Sequence, residues 1–138
     1  MTTPAISLIT YSDGGARGNP GPAGAGAVVI DQSSKEVLAE ISLYLGETTN
    51  NQAEYRALIA ALGKANELNA QSITCYLDSE LIVEQMKGRY KVKNPGLKEL
   101  YLQAIALVGL KKVSFRHIPR EQNSHADRLA NEAMDRGR

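Results

Sequence analysis

The sequence is poor in cysteine and in large aromatic residues, with one Cys, one Phe and no Trp among 138 residues. A single thiol, Cys75, excludes an internal disulfide and a zinc site built from cysteines. The longest uninterrupted apolar run, residues 57–62, has six residues, whereas a membrane-spanning helix needs about 20. The first residues combine neither a basic segment nor a long apolar one, so we expect no secretory signal and a cytoplasmic protein without membrane contact.

An excess of charge of either sign is also lacking, because 16 basic and 15 acidic residues give a net charge of +1. The balance is not uniform along the chain. The segment 87–98 carries five basic residues and no acidic one, which suits a polyanionic partner, although a solvated surface gives the same pattern. The length and the 43% apolar content predict one globular domain over residues 1–138.

The first half of the chain has three strand-like runs followed by a helical pattern. Residues 5–13, 25–30 and 36–45 have short connections, which is typical of an antiparallel meander. Five glycines and two prolines in residues 14–24 predict a loop or a tight hairpin between the first two strands. Apolar residues at helical spacing then predict a helix from the N-cap Thr49 to about Leu68.

The second half alternates between strand and helix patterns. The run 72–77 is short and nearly all apolar, as in a strand that is covered on both faces. A further strand is predicted over 112–118, and helices over 79–86, 97–108 and from about 124 to 137. A meander followed by these units predicts an α/β fold in which a mixed five-stranded sheet is flanked by about four helices.

Four acidic residues occupy the ends of predicted strands or the starts of predicted helices. Asp13 and Asp78 end the first and fourth strands, and Glu54 and Asp127 lie in the first turns of two helices. Such positions can meet at one edge of an open α/β sheet, where grouped carboxylates need cations such as Mg²⁺ or Mn²⁺. Turn formation, helix capping and the helix dipole are alternative explanations for each acid taken singly.

The segments around these acids carry a more specific pattern. They read YSDGGARGNPGPAGAGAVV around Asp13, TTNNQAEYRAL around Glu54, DSELIVEQMKG from Asp78 and HIPREQNSHADRLANEA around Asp127. In this order they resemble the type 1 ribonuclease H family over about residues 8–133. The resemblance implies the ribonuclease H-like fold and an endoribonuclease that hydrolyses the RNA strand of RNA–DNA hybrids.

The resemblance also implies a catalytic machinery. The catalytic and metal-binding residues would be the acidic quartet Asp13, Glu54, Asp78 and Asp127. The quartet would hold two Mg²⁺ ions about 4 Å apart, one to activate the attacking water and one to stabilise the leaving 3′-oxygen. Mn²⁺ is expected to substitute, and the products would carry 5′-phosphate and 3′-hydroxyl ends.

Two histidines lie near the last acid. His117, ten residues before Asp127, matches a family histidine that lies in a mobile loop and assists proton transfer or product release. A hydrogen bond at a strand end is the alternative interpretation. His125 is interpreted as a surface residue.

Substrate contacts are implied by the same resemblance, at Gly14, Gly15, Asn19, Thr49, Asn50, Asn51, Glu80 and Asn94. The asparagines ahead of Glu54, together with Asn19, would read ribose 2′-hydroxyls, while Thr49 and Asn94 would form a phosphate pocket for the DNA strand. Turn formation and helix capping are the alternatives for the asparagines. Two positions depart from the family pattern: Glu80 stands where a glutamine is frequent, and Glu47 stands where some members have an arginine in the phosphate pocket.

The compact form of the family is expected, and with it a monomer that needs no protein partner. The stretch 88–95 is too short for the basic protrusion of some members, and Asp13 comes too early for a preceding hybrid-binding domain. Two other hypotheses are a nucleic-acid-binding module without catalysis and another nuclease of the superfamily, such as a junction resolvase or a 3′–5′ exonuclease. Binding without cleavage would favour the module, and release of mononucleotides from one end would favour the exonuclease.

Overall fold

A computed structural model describes residues 5–138 and contains one mixed sheet. Its strands are β1 (Ser7–Ala16), β2 (Gly21–Asp31), β3 (Val37–Thr48), β4 (Ser72–Leu77) and β5 (Lys112–His117). Their spatial order is β3-β2-β1-β4-β5, with β1, β2 and β3 antiparallel, β4 parallel to β1, and β5 parallel to β4. The predicted α/β fold with a meander and two further strands is confirmed.

Four helices and one short 3₁₀ turn at Arg120–Gln122 flank this sheet. The helices are α1 (Asn50–Glu67), α2 (Glu80–Met86), α3 (Pro95–Val108) and α4 (Ser124–Arg136). The predicted N-cap of α1 is confirmed, because the Thr49 side chain accepts a hydrogen bond from the Gln52 amide. Within residues 5–138, no helix has both the length and the apolar character that crossing a membrane requires.

The larger core lies between one face of the sheet and helices α1, α2 and α3. Buried side chains of β1 and β4, such as Leu8 and Leu77, contact this core together with Leu58 and Leu62 of α1. The opposite face is covered by α4, which packs on β2, β3 and β1. The β1–β2 hairpin therefore lies between two helix layers.

The glycine-rich segment 14–24 is mostly strand, so the prediction of a hairpin holds but its strands are longer than expected. β1 continues to Ala16 and β2 begins at Gly21, which leaves residues 17–20 as the turn. A Cβ atom on Gly14 would lie 2.2 Å from the carbonyl oxygen of Ala53 in α1. One on Gly24 would lie 2.4 Å from the carbonyl oxygen of Ala130 in α4. These glycines serve close helix–sheet packing, which the sequence pattern does not distinguish from a loop.

Three other expectations are corrected by the structure. Asp13 does not end β1, but it lies just past Ser12, the last β1 residue that pairs with β4. Glu54 is not in the first turn of α1, because the helix begins at Asn50. β4 is buried on one face only, since its residues alternate between half-buried and buried and α4 packs on the other side of the sheet over β1, β2 and β3.

Candidate active site

The four predicted carboxylates line one cleft, of about 390 Å³, at the sheet edge where β1 and β4 separate. Asp13 projects from β1 opposite Gly26 of β2, and Asp78 directly follows β4. Glu54 comes from α1 and Asp127 from the first turn of α4. The two faces of the sheet thus contribute one helix each to the same cleft.

Gly14 permits the approach of Glu54 to Asp13. The backbone of α1 at Ala53 and Glu54 occupies the position of the missing Gly14 side chain. The Gly14 backbone amide also hydrogen-bonds the Glu54 carboxylate and acts to lower its pKa. Gly14 therefore both makes room for α1 beside β1 and supplies a hydrogen-bond donor to the Glu54 carboxylate.

Three of the acids form a tight group. One carboxylate oxygen from each of Asp13, Glu54 and Asp78 lies within 4.8 Å of the others. Asp13 and Glu54 are only 8% and 7% exposed. Asp127 lines the same cleft and interacts with Asp13, whose pKa it helps to raise, and its Oδ1 atom lies 3.8 Å from Nη2 of Arg120.

Burial and mutual repulsion perturb this group. Burial, followed by the charge of Asp78, raises the pKa of Asp13 to about 7. Burial and the Asp13 charge raise the pKa of Glu54 well above its usual range. Oε2 of Glu54 is buried without a hydrogen-bond partner among the described residues. Buried, crowded carboxylate oxygens with an unpaired lone-pair acceptor fit the preferences of a hard divalent cation.

Asn123 belongs to this site although the sequence predicts no role for it. It is 1% exposed, and its side-chain amide donates to the carbonyl oxygen of Ser12 at 2.8 Å and to Oδ2 of Asp78 at 3.1 Å. Arg120, which also lines the cleft, was missed as well. An asparagine before a helix usually indicates a cap. The contacts of Asn123 with Ser12 and Asp78, which are distant in the chain, therefore cannot be predicted from the residues around it.

His117 ends β5 and is exposed rather than part of the cleft lining. Its Nε2 atom lies 3.2 Å from the carbonyl oxygen of Asp78, which is the strand-end hydrogen bond of the alternative interpretation. A role in proton transfer stays a prediction. His125 is half-buried and hydrogen-bonded to the Glu40 carboxylate of β3. Neither residue lines the cleft of the four predicted acids.

A second cleft, also of about 390 Å³, adjoins the first. Most predicted substrate contacts line it, namely Asn19, Thr49, Asn50, Asn51 and Asn94. Asn50 and Asn51 line both clefts, while Gly14 and Gly15 line the first. Glu80 lines neither and is an exposed residue at the start of α2. The clefts therefore form one continuous polar surface around the start of α1.

Several polar groups of the second cleft are already held by the fold. Oδ1 of Asn19 accepts from the Asn50 amide at 3.1 Å, and Oδ1 of Asn50 accepts from the Ala16 amide at 2.8 Å. Oδ1 of Asn94 caps α3 by accepting from the Gly96 amide at 2.8 Å, and Thr49 caps α1. The cap predicted at Thr49 is thus confirmed and Asn94 is a second cap, whereas the Asn50 side chain bonds β1 rather than capping a helix. Both caps use acceptor atoms and leave the Asn94 amide hydrogens and the Thr49 hydroxyl hydrogen as donors.

Comparison with known proteins identifies relatives of this chain. The model of a family described as reverse transcriptase-like matches residues 11–133. The bifunctional protein Rv2228c of Mycobacterium tuberculosis is 50% identical over 131 residues, which are 94% of this chain and 36% of that protein. Ribonuclease HI of Halobacterium salinarum is 42% identical over 126 residues, or 91% of this chain and 63% of that protein. The chain therefore spans about a third of the mycobacterial relative and less than two thirds of the halobacterial one.

Solved structures of similar sequence share the fold. The N-terminal RNase H domain of Rv2228c has a TM-score of 0.93 at 49% identity, with 96% of each chain covered. LC11-RNase H1, solved in complex with RNA/DNA hybrid, has a TM-score of 0.88 at 48% identity, covering 94% of this chain and 97% of that one. By the family match, these relatives and the shared fold, this chain belongs to the type 1 ribonuclease H family.

Proposed function

We propose that the protein is a metal-dependent endonuclease that hydrolyses the RNA strand of RNA–DNA hybrids. The observation that carries this proposal is the tight group of buried Asp13, buried Glu54 and half-buried Asp78, with its unpaired Glu54 oxygen, in the lining of an open polar cleft. The similarity to LC11-RNase H1, which was solved with an RNA/DNA hybrid, supports the choice of substrate.

Mg²⁺ is the cation that we propose for this site, with Mn²⁺ able to substitute. Asp13, Glu54 and Asp78 would hold it, and Asp127 would join them to bind a second ion. The bound cation would supply Lewis-acid stabilisation of phosphate charge and a more acidic water. Oxygen-only ligands favour these two metals over zinc or copper.

The chain's own residues orient this site. Asn123 donates to Asp78 and Ser12 and so holds β1 and β4 together beside the acids. The Gly14 amide holds Glu54 from the other side. Both donors are in place before substrate arrives, which is the preorganisation that electrostatic catalysis requires.

Recognition of a hybrid follows from the two joined clefts. Asn50 and Asn51 line the cleft of the acids and Asn19 lines the adjoining one, and all three have side-chain amides that can bond ribose 2′-hydroxyls. Thr49 and Asn94 offer donors to a phosphate farther along the same surface. One strand would cross the carboxylates while its partner reaches the second cleft, so both strands contribute to selection of the duplex.

The experiment is a cleavage assay on four end-labelled substrates of one sequence: RNA–DNA hybrid, duplex RNA, duplex DNA and single-stranded RNA, with Mg²⁺ or with EDTA. We expect internal cuts in the RNA strand of the hybrid, lost in EDTA. Binding of hybrid without cleavage under either Mg²⁺ or Mn²⁺ would instead support the binding module. Release of mononucleotides from one end would support an exonuclease.

Three further expectations stay predictions: a single domain over residues 1–138, a monomer and a cytoplasmic location. The first four residues of that range lie outside the described part of the structure.

A further inference from the structure

Part of the sheet carries no helix on the side where α4 lies. α4 packs on β2, β3 and β1, while α1, α2 and α3 pack on the other face. In residues 5–138 this leaves the α4 side of β4 and β5, with the adjoining side of β1, as an open surface. Its side chains are half-buried or exposed rather than buried.

The open surface is ordered in rows by the strand register. β1 pairs in parallel with β4, and β4 with β5, so three residues stand side by side in each row. The rows are Tyr11–Tyr76–Arg116, Ile9–Thr74–Ser114 and Ser7–Ser72–Lys112. They hold two cations, a set of hydroxyls and no carboxylate.

The first row contains a stacked aromatic pair. The rings of Tyr11 and Tyr76 have centroids 5.1 Å apart and an interplanar angle of 19°. Both residues are half-buried, and the exposed Arg116 of β5 is the register neighbour of Tyr76 of β4. Within the stack each ring covers one face of the other, so a base can stack only on the face that each ring turns away from its neighbour. Such an aromatic face beside a cation is suited to unpaired bases, because every base has a face that can stack.

The cations of this surface are available to a ligand. The salt bridges among residues 5–138 involve neither Arg116 nor Lys112. Both are exposed on the outer strand β5, four positions apart on the same face. A polyanion laid along β5 would meet both of them without displacing an internal partner.

We propose that this open surface, defined by the three rows, binds single-stranded nucleic acid. Bases stack on the Tyr11–Tyr76 pair, and backbone phosphates contact Arg116 and Lys112. The surface is separate from the catalytic cleft, because none of the nine residues of the three rows lines that cleft, and Tyr11 instead lines a different small cavity with Asn123 and Gln122. The proposal does not depend on hydrolysis, and it suits an unpaired extension of a duplex held in the cleft.

The test is an NMR titration of the isotope-labelled protein, in EDTA, with an oligothymidylate of about eight nucleotides. We expect amide shifts concentrated at Thr74, Tyr76 and Arg116, and these shifts should persist when RNA–DNA hybrid is also present. Shifts confined to Gly15 and Asn50 would place the oligonucleotide in the catalytic cleft and overturn the proposal. Shifts at the open surface that depend on protein concentration and not on the oligonucleotide would show that a second copy of the chain binds there. That result would also overturn the proposal.

Variants make the same test quantitative. Tyr76→Thr should weaken oligonucleotide binding about fivefold or more, whereas Tyr76→Phe, which keeps the ring, should not. Arg116→Glu should weaken binding and reduce the salt slope by about 0.7 or more, while the charge-matched Arg138→Glu should change neither. Because Arg116 is exposed, that variant tests the proposal even if Tyr76→Thr does not fold. Equal affinity for Arg116→Glu and wild type would overturn it.

Discussion

The side-chain amide of Asn123 donates a hydrogen bond to Oδ2 of Asp78 across 3.1 Å, although the two residues lie 45 positions apart in the chain. The same amide donates to the Ser12 carbonyl oxygen, next to Asp13. Asn123 thus fixes one acid of the candidate metal site relative to the strand that carries another. Outer contacts of this kind orient metal ligands and tune their affinity.

Asn123→Ala should weaken divalent metal binding about 10- to 100-fold, because Asp78 loses the donor that orients it. It should also lower the free energy of unfolding by about 1–3 kcal/mol, since buried acceptors lose their partner. Calorimetric metal titration and chemical denaturation measure the two effects.

The matched control is Asn66→Ala, whose amide donates to the Leu107 carbonyl oxygen at 3.0 Å far from the cleft. It should lose stability but keep its metal affinity. Wild-type metal affinity in Asn123→Ala would contradict the positioning role.

The metal-free protein should lose stability as the pH rises from about 4 to about 7. Asp13 releases its proton near pH 7 when folded and near pH 4 when unfolded, so the folded state binds more protons between these values. The free energy of unfolding therefore falls across this window.

Asp13→Asn removes the buried carboxyl whose ionisation destabilises the folded state. In EDTA at about pH 8 the variant should therefore be more stable than the wild type by at least about 1 kcal/mol. Thermal unfolding across the pH range provides the measurement. Asp135→Asn, on an exposed acid of α4, is the control and should keep the wild-type pH dependence. A wild-type protein whose stability in EDTA is flat from about pH 5 to 8 would argue against the buried acidic group.

Gly26→Ala should destabilise the fold by about 2–4 kcal/mol. Its Cβ atom would lie 2.1 Å from the Ala126 carbonyl oxygen, so α4 would have to move away from β2. Because α4 carries Asp127, activity should fall in the fraction that remains folded.

Gly63→Ala is the corresponding control in α1, where a Cβ atom meets nothing within 4 Å. It should stabilise the protein by about 0.5–1 kcal/mol, as alanine does in a helix interior. Similar effects of the two substitutions on the denaturation midpoint would contradict the close packing of α4.

Asn94→Asp should separate the capping role of this residue from phosphate binding. Aspartate keeps an acceptor for the Gly96 amide and so preserves the cap, but it removes the amide donors and adds a negative charge. We expect KM for hybrid to rise about tenfold while kcat and Tm stay near wild type. Asn94→Ser keeps a cap and a donor, so its KM should lie between those of the wild type and Asn94→Asp. An unchanged KM in Asn94→Asp would show that Asn94 does not contribute to the phosphate pocket.

The features that could be predicted from the sequence are those with local physical causes. Thr49 caps α1 through an amide three residues away, and the order of strands and helices follows from apolar periodicity. The positions of Asp13, Glu54, Asp78 and Asp127 at one edge follow from that order and from the family resemblance.

The remaining features depend on groups that are distant in the chain. Gly24 was interpreted as a loop residue, because only the folded protein brings Ala130 of α4 against it. Asn123 and Arg120 were missed for the same reason. Asp127 lines the cleft of the other three acids and interacts with Asp13, as the predicted quartet requires, but its neighbour Arg120 has no signal in the sequence.

The most direct test of the central claim compares wild type with Asp13→Asn on one hybrid labelled on both strands, in Mg²⁺. The variant should be folded and should still bind the hybrid, because Asn19, Asn50 and Asn94 are unchanged. We predict internal cuts in the RNA strand and an intact DNA strand with the wild type, and intact RNA with the variant. Equal cleavage by the two proteins, or cuts in the DNA strand, would contradict the assignment of catalysis to this carboxylate cleft.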